Sequence, residues 1–159
     1  MIYDICQSPI GQLTIASDGE HITELHIEGD RYFTAVPRDW ARNTQHPLLQ
    51  RTRQQLAEYF AGTRSTFDLP LRPHGTAFQR QVWQLIDTIP KGQTKTYLAI
   101  ARAIGRPRAA RAVGSAVGRN PLCLLVPCHR VLASDGSLGG FVAGIERKQH
   151  LLAFEGAAA

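Results

Sequence analysis

The sequence predicts an α/β (α+β) fold in two parts, strands first and helices after. Three observations carry this prediction. The first third alternates apolar and polar residues, TFDLPLRPHG (66–75) breaks the chain with prolines, and capped helical stripes follow. IYDICQSP and GQLTIASDGEHITELHI alternate around Gly11 and the turn Asp18-Gly19, the pattern of successive hairpins. Ile2, Ile5, Leu13, Ile15, Ile22, Leu25 and Ile27 are the predicted inward positions. Residues 28–46 are polar and irregular. After His46-Pro47, Leu48, Leu49, Leu56, Tyr59 and Phe60 share one helical face, which Gly62 ends. The connector is too broken for a helix. The domain boundary falls there, giving an N-terminal domain (1–73) and a C-terminal one (74–156).

The second part starts with a capping box, TAFQ, in which Thr76 is the N-cap and Gln79 reaches back. Phe78, Val82, Leu85, Ile86 and Ile89 form a stripe up to Pro90 and Gly92. TYLAIARAIG (96–105) predicts a short helix stopped by Gly105, and Pro107 suits N1 of the next, RPRAARAVGSAVGRN. Two short helices across a glycine-containing turn are helix-turn-helix patterning. From Ala109 to Gly118 every side chain is Ala, Gly, Val or Ser except Arg111. Such a helix suits close packing on a neighbour. It equally suits a minor groove only ~6 Å wide, with Arg111 as its one long probe. Composition leaves both readings standing. Ala157–Ala159 is expected to fray.

With 43% hydrophobic and 19% charged residues, the chain can bury an ordinary globular core. The N-terminus has no basic region followed by an apolar one, and no run approaches membrane-spanning length, so neither secretion nor a membrane partner is expected. Three cysteines in no framework spacing point to a reducing cytoplasm. Cys123 and Cys128 are not a C-x-x-C pair, and no metal site is expected. The net charge of +5 is uneven. Residues 1–90 carry 8 Lys/Arg against 10 Asp/Glu, and residues 91–159 carry 10 against 3. A basic half of this kind calls for an anionic partner, and nucleic acid is the class it favours.

VPCHRV (126–131) places a thiol beside an imidazole and a guanidinium. The thiolate is the reactive form of cysteine, and a base or nearby positive charge promotes it. Neighbouring side chains on a strand point to opposite faces, so His129 can serve Cys128 only across a turn or through a water. Pro127 allows the strand to end there. A histidine base needs an acid to hold its tautomer. Glu155 and Asp135 are both candidates on spacing. Cys6 and Cys123 read as inert buried thiols, and the remaining five histidines belong to no motif. No G-x-G-x-x-G loop or other cofactor signature is present.

NPLCLLVPCHRVLASDG, preceded by GRPRAARAVGSAV and followed by GGFVAGIERKQHLLAFEG, closely resembles the O6-alkylguanine-DNA alkyltransferases (methylated-DNA–protein-cysteine methyltransferases), especially the compact bacterial type. The resemblance is strongest from Thr76 to Gly156. It implies a strand-rich, ribonuclease-H-like N-terminal domain and a helical, winged-helix-like domain that binds DNA and accepts the alkyl group. By that resemblance Cys128 takes the alkyl group from guanine O6, with O4-alkylthymine a further substrate, in one irreversible turnover after the nucleotide is flipped. His129 is then the base acting through water and Glu155 the carboxylate orienting it, which selects Glu155 over Asp135. Asn120 matches a hinge, Arg111 the finger that fills the gap in the duplex, and Tyr97 the residue that turns the 3′ phosphate and contacts the base. Ala110, Gly114 and Ser115 lie on the helix that enters the minor groove, and backbone groups of Cys128, Val131 and Val142 read the guanine edge. Phe141-Val142-Ala143-Gly144 departs from the Tyr-Ala/Ser-Gly-Gly of many relatives, removing a phenol and adding bulk at the pocket lip. The N-terminal zinc ligands of some relatives are absent. The implied partner is double-stranded DNA carrying O6-alkylguanine, bound by a monomer with cooperativity left open, and no cofactor is implied. A cysteine hydrolase with a Cys128-His129-Glu155 triad and an operator-binding regulator are the rival readings, and the motif match outweighs both.

Overall fold

Four strands form the first sheet: β1 (Ile2–Ser8), β2 (Gly11–Ser17), β3 (Ile22–Ile27) and β4 (Ala41–Arg42), in the order β3-β2-β1-β4. β1, β2 and β3 pair antiparallel, and β4 lies parallel to β1. The computed structural model describes residues 1–157; of the segment expected to fray, Ala158 and Ala159 lie outside the described residues. The turns follow from local chemistry. Gly11 takes φ 111°, and the Ser8 hydroxyl donates to its carbonyl at 2.6 Å. At the second turn Asp18 Oδ1 accepts from the amides of Glu20 and His21.

Leu13, Ile15, Ile22, Leu25 and Ile27 are buried, as the alternation predicts. Ile5 is not inward. It pairs with Thr14, whereas Asp4 pairs with Ile15 and therefore takes the inner face. The buried Asp4 carboxylate is held by Arg53 at 2.9 Å and Arg42 at 3.2 Å, which is why a charge sits in an apolar register. The irregular segment covers the outer face: Phe33 stacks on His26 at 4.0 Å, and Trp40 bridges Phe33 and Tyr3. α1 (Pro47–Phe60) packs against β1 and β2, burying Leu49, Leu56 and Tyr59. His46, which belongs to no motif in the sequence, is its N-cap and accepts from the Leu48 amide.

The open edge of β3 joins the two halves. Ile22 donates to Pro70 O at 2.7 Å and accepts from Arg72, so the connector runs along the strand. Leu25 donates to Pro121 O at 2.8 Å and accepts from Cys123, so the segment before the PCHRV motif docks on the same edge. One apolar cluster runs through both halves.

The second half holds α2 (Ala77–Ile86), β5 (Lys95–Thr96), α3 (Tyr97–Ala103), α4 (Ala110–Gly118), β6 (Val131–Leu132) and α5 (Ile145–Phe154), with β5 and β6 parallel. The Thr76–Gln79 capping box forms as predicted. Pro107 is not at N1 of α4. Arg106 to Ala109 close a separate turn, with Ala109 N donating to Arg106 O, and the helix begins at Ala110. α4 buries Val113, Ala116 and Val117 against α2 and α3, and the Trp83 indole donates to Ala116 O at 2.8 Å. Arg111, Ala112 and Ser115 face outward. Small side chains thus serve close packing on one face while leaving the other slim.

Candidate active site

The PCHRV residues leave the strand path. After Pro127, Cys128–Arg130 make one turn of 3-10 helix, which carries all three side chains into the interior. The preceding loop is pinned by Asn120. Its Nδ2 donates to Val126 O at 2.8 Å and its Oδ1 accepts from the Leu122 amide at 2.9 Å. Inside that loop Leu124 has φ 72°, a left-handed conformation costing a non-glycine residue roughly 1–2 kcal/mol. The Asn120 clamp and the docking of Cys123 on β3 hold it there.

Glu155 is the hub beneath the turn. As C-cap of α5, it is followed by Gly156 at φ 77°, which ends the helix and leaves the side chain aimed inward. Glu155 Oε2 accepts from Tyr59 Oη at 2.6 Å, Arg130 Nη2 at 2.7 Å and His129 Nε2 at 2.9 Å. Oε1 accepts from Arg130 Nε at 2.9 Å, completing a bidentate pair, and Arg130 Nη1 donates to Ile89 O. Burial pushes the Glu155 carboxyl up, but its hydrogen bonds from Arg130, His129 and Tyr59 win and hold it well below the usual carboxylate range. Burial lowers His129, which is therefore neutral at pH 7. An ionised carboxylate can only accept from Nε2–H, so Nδ1 carries the lone pair, and Nδ1 has no partner among the described residues. Asp135 lies on the surface and takes no part.

Cys128 is buried and lines a cavity of about 410 Å³ together with Tyr97, Ala110, Arg111, Gly114, Phe141 and Val142. Six sequence-predicted residues therefore share a cavity with the thiol. Ser115 is on the outer face of α4, and Asn120, Val131, His129 and Glu155 lie behind the cavity wall. The thiol is held below the ordinary cysteine value by a hydrogen bond with Cys123, against burial, with help from Asn120 and the Lys148 charge. Cys123 is pushed well above the ordinary value by the same bond and by burial. The expectation that Cys123 is an inert core thiol agrees with its full burial and its raised pKa; its proximity to Cys128 is what the sequence does not show.

Several site residues escaped the motif reading. Lys148 is buried on α5, and Nζ donates to Val131 O at 2.7 Å and Gly140 O at 3.1 Å, tying β6 to the opposite wall. Burial lowers its pKa to about 8. Gly139 has φ 69°, and a Cβ there would stand 2.6 Å from the Tyr97 hydroxyl, so only glycine lets that phenol in. Tyr59 reads as a core position, and nothing local marks the bond its hydroxyl makes 96 residues away. Arg130 is visible in PCHRV, but its function as the counter-charge of Glu155 is not.

Two expectations follow. Glu155→Gln strands the buried Arg130 guanidinium, and denaturant unfolding should show a loss of about 3–5 kcal/mol. Cys123→Ala removes a hydrogen bond that favours the Cys128 thiolate. Because losing a stabiliser of the charged form raises an acid's pKa, the midpoint of Cys128 alkylation by iodoacetamide should move to higher pH.

Comparison with known proteins gives a consistent result. The family described as "6-O-methylguanine DNA methyltransferase, ribonuclease-like domain" matches residues 1–73, and "6-O-methylguanine DNA methyltransferase, DNA binding domain" matches residues 77–157. The chain is 43% identical to the methylated-DNA–protein-cysteine methyltransferase of Methanosarcina barkeri, covering 98% of this chain and 97% of the relative. It is 42% identical to the constitutive enzyme of that name from Bacillus subtilis, covering 96% and 94%. Among solved structures, Mycobacterium tuberculosis OGT in complex with DNA superposes with a TM-score of 0.91 at 41% identity, covering 100% of this chain and 96% of that one. The α+β architecture, the thiol-bearing turn and these matches over nearly the whole length agree, and the chain belongs to the 6-O-methylguanine DNA methyltransferase family.

Proposed function

We propose that this protein repairs alkylated DNA by moving the alkyl group of O6-alkylguanine onto Cys128, once per molecule. The supporting observation is that the buried thiol, held below its ordinary pKa, opens into one cavity with Arg111 and Tyr97 while His129 behind it is locked by Glu155. The neutral His129 accepts the thiol proton at Nδ1 through a water, and the Glu155 carboxylate stabilises the resulting imidazolium, while Arg130 keeps that carboxylate ionised. The sulfur attacks the alkyl carbon, the S–C bond forms as the C–O6 bond breaks, and the pair of electrons leaves on guanine. Tyr97 helps return a proton to the base. The thioether is not hydrolysed under mild conditions, so the protein acts once and needs no methyl-donor cofactor.

A base inside a duplex hides O6, and extruding it costs a few kcal/mol. In this reading α4 enters the minor groove through its slim face of Ala110, Gly114 and Ser115, and Arg111 occupies the vacated place in the stack. Backbone groups of Cys128, Val131 and Val142 read the guanine edge, and Asn120 keeps the turn in register. Residues 74–156 carry this machinery, residues 1–73 support it, and the protein works as a cytoplasmic monomer on double-stranded DNA. O4-alkylthymine offers a similar alkoxy carbon, with Phe141 and Val142 limiting the size of adduct admitted. Among the described residues no helix is long and apolar enough to cross a membrane.

Incubation with an O6-methylguanine duplex should replace one hydrogen by methyl on the Cys128 peptide, with one group per chain at saturation. Cys128→Ser should abolish it, and repeated turnover would overturn the reading. Arg111→Ala should slow duplex repair about tenfold more than reaction with free O6-benzylguanine, the effect of a plug worth about 1.4 kcal/mol.

A further inference from the structure

We propose that Arg31, from the N-terminal half, is a phosphate-binding residue at the mouth of the Cys128 cavity and confers on that half a direct part in holding damaged DNA. The inference rests on the reading of Cys128 as alkyl acceptor. Arg31 lines the same cavity as Cys128 and Arg111, although 97 and 80 positions separate it from them in the chain. Its place is built. The Arg31 amide donates to Val142 O at 3.3 Å, strapping the loop after β3 to the cavity wall. Asp30 N donates to Ile27 O and Phe33 N to Asp30 O, so the loop is a closed turn, and Phe33 anchors it on His26.

The charge around it is unbalanced. The Tyr32 ring lies 5.2 Å from Arg31 Cζ and 4.1 Å from Arg119 Cζ, so one exposed phenol gathers two guanidinium groups. Neither guanidinium has a hydrogen-bonding or carboxylate partner among the described residues. The adjacent acids are committed elsewhere. Asp30 binds His26 at 3.1 Å and the Tyr32 amide at 2.8 Å, and Glu28 faces Arg147. No acidic side chain lines the cavity among the described residues, so the Arg31 charge meets no counter-charge there either. With Arg111 committed to the stack, the forked donors gathered on Tyr32, Arg31 on the cavity lining and Arg119 beside it, fit the oxygens of a phosphodiester, which a guanidinium binds through two parallel N–H bonds.

The test compares wild type, Arg31→Ala and Arg31→Lys on an O6-methylguanine duplex and on free O6-benzylguanine, which has no phosphate. Arg31→Ala should slow the duplex reaction roughly five- to tenfold, exceed its own effect on the free base, and reduce the salt slope of DNA binding by about one. Arg31→Lys should recover most of the salt slope. Replacing the phosphates around the lesion one at a time with methylphosphonate should identify one that slows wild type and leaves Arg31→Ala indifferent. Equal losses on duplex and free base, or an unchanged salt slope, overturn the phosphate assignment. An effect seen only with O6-carboxymethylguanine overturns it too, because the partner is then the adduct's own carboxylate. Failure of the wild type to transfer benzyl to Cys128 defeats the acceptor reading instead, so the two failures are separable.

Discussion

A single buried carboxylate organises the C-terminal half of this protein. Glu155 accepts four hydrogen bonds from three side chains: Tyr59 on α1, and His129 and Arg130, which are neighbours on the 3-10 turn about 70 positions further along the chain. Its charge is tolerable only because Arg130 pairs with it bidentately, and Arg130 is tolerable there for the same reason. His129 gains a defined tautomer from this arrangement, and the turn bearing Cys128 gains a fixed floor. Tyr59 adds the N-terminal half to the same network, so the helix of one half reaches the carboxylate of the other.

The wall around the thiol is made by similar non-local ties. Lys148 joins the carbonyls of Val131 and Gly140, Asn120 clamps the loop that contains the left-handed Leu124, and Cys123 lies against Cys128 after docking on β3. Each places a polar group where burial makes an unpaired one costly. The result is a buried sulfur with several neighbours favouring its charged form.

Local patterning proved a good guide wherever the physics is local. The Thr76–Gln79 box, the proline-opened α1, the hairpin turns at Gly11 and Asp18-Gly19, and the slim α4 all depend on residues within a few positions of each other. It misplaced Ile5 because period-2 alternation ranks an isoleucine above an aspartate for the inner face. Arg42 and Arg53, which reverse that ranking, are distant in the chain. Pro107 was misjudged for a different reason: a proline that suits N1 also suits a preceding turn, and the packing of α4 chose the later start.

The amino-acid sequence by itself determined the α+β order, the reactive PCHRV segment, the basic second half and the family resemblance. Those properties reside in neighbouring residues, composition and motif spacing. Only the tertiary structure decided that Cys123 stands beside Cys128, that Tyr59 shares the Glu155 carboxylate with His129, that Lys148 ties Val131 to Gly140, and that Arg31 lines the cavity. A hydrogen bond or an ion pair depends on distances of about 3 Å. Such distances across tens of residues exist only once the apolar core has closed and brought separate stretches of chain together.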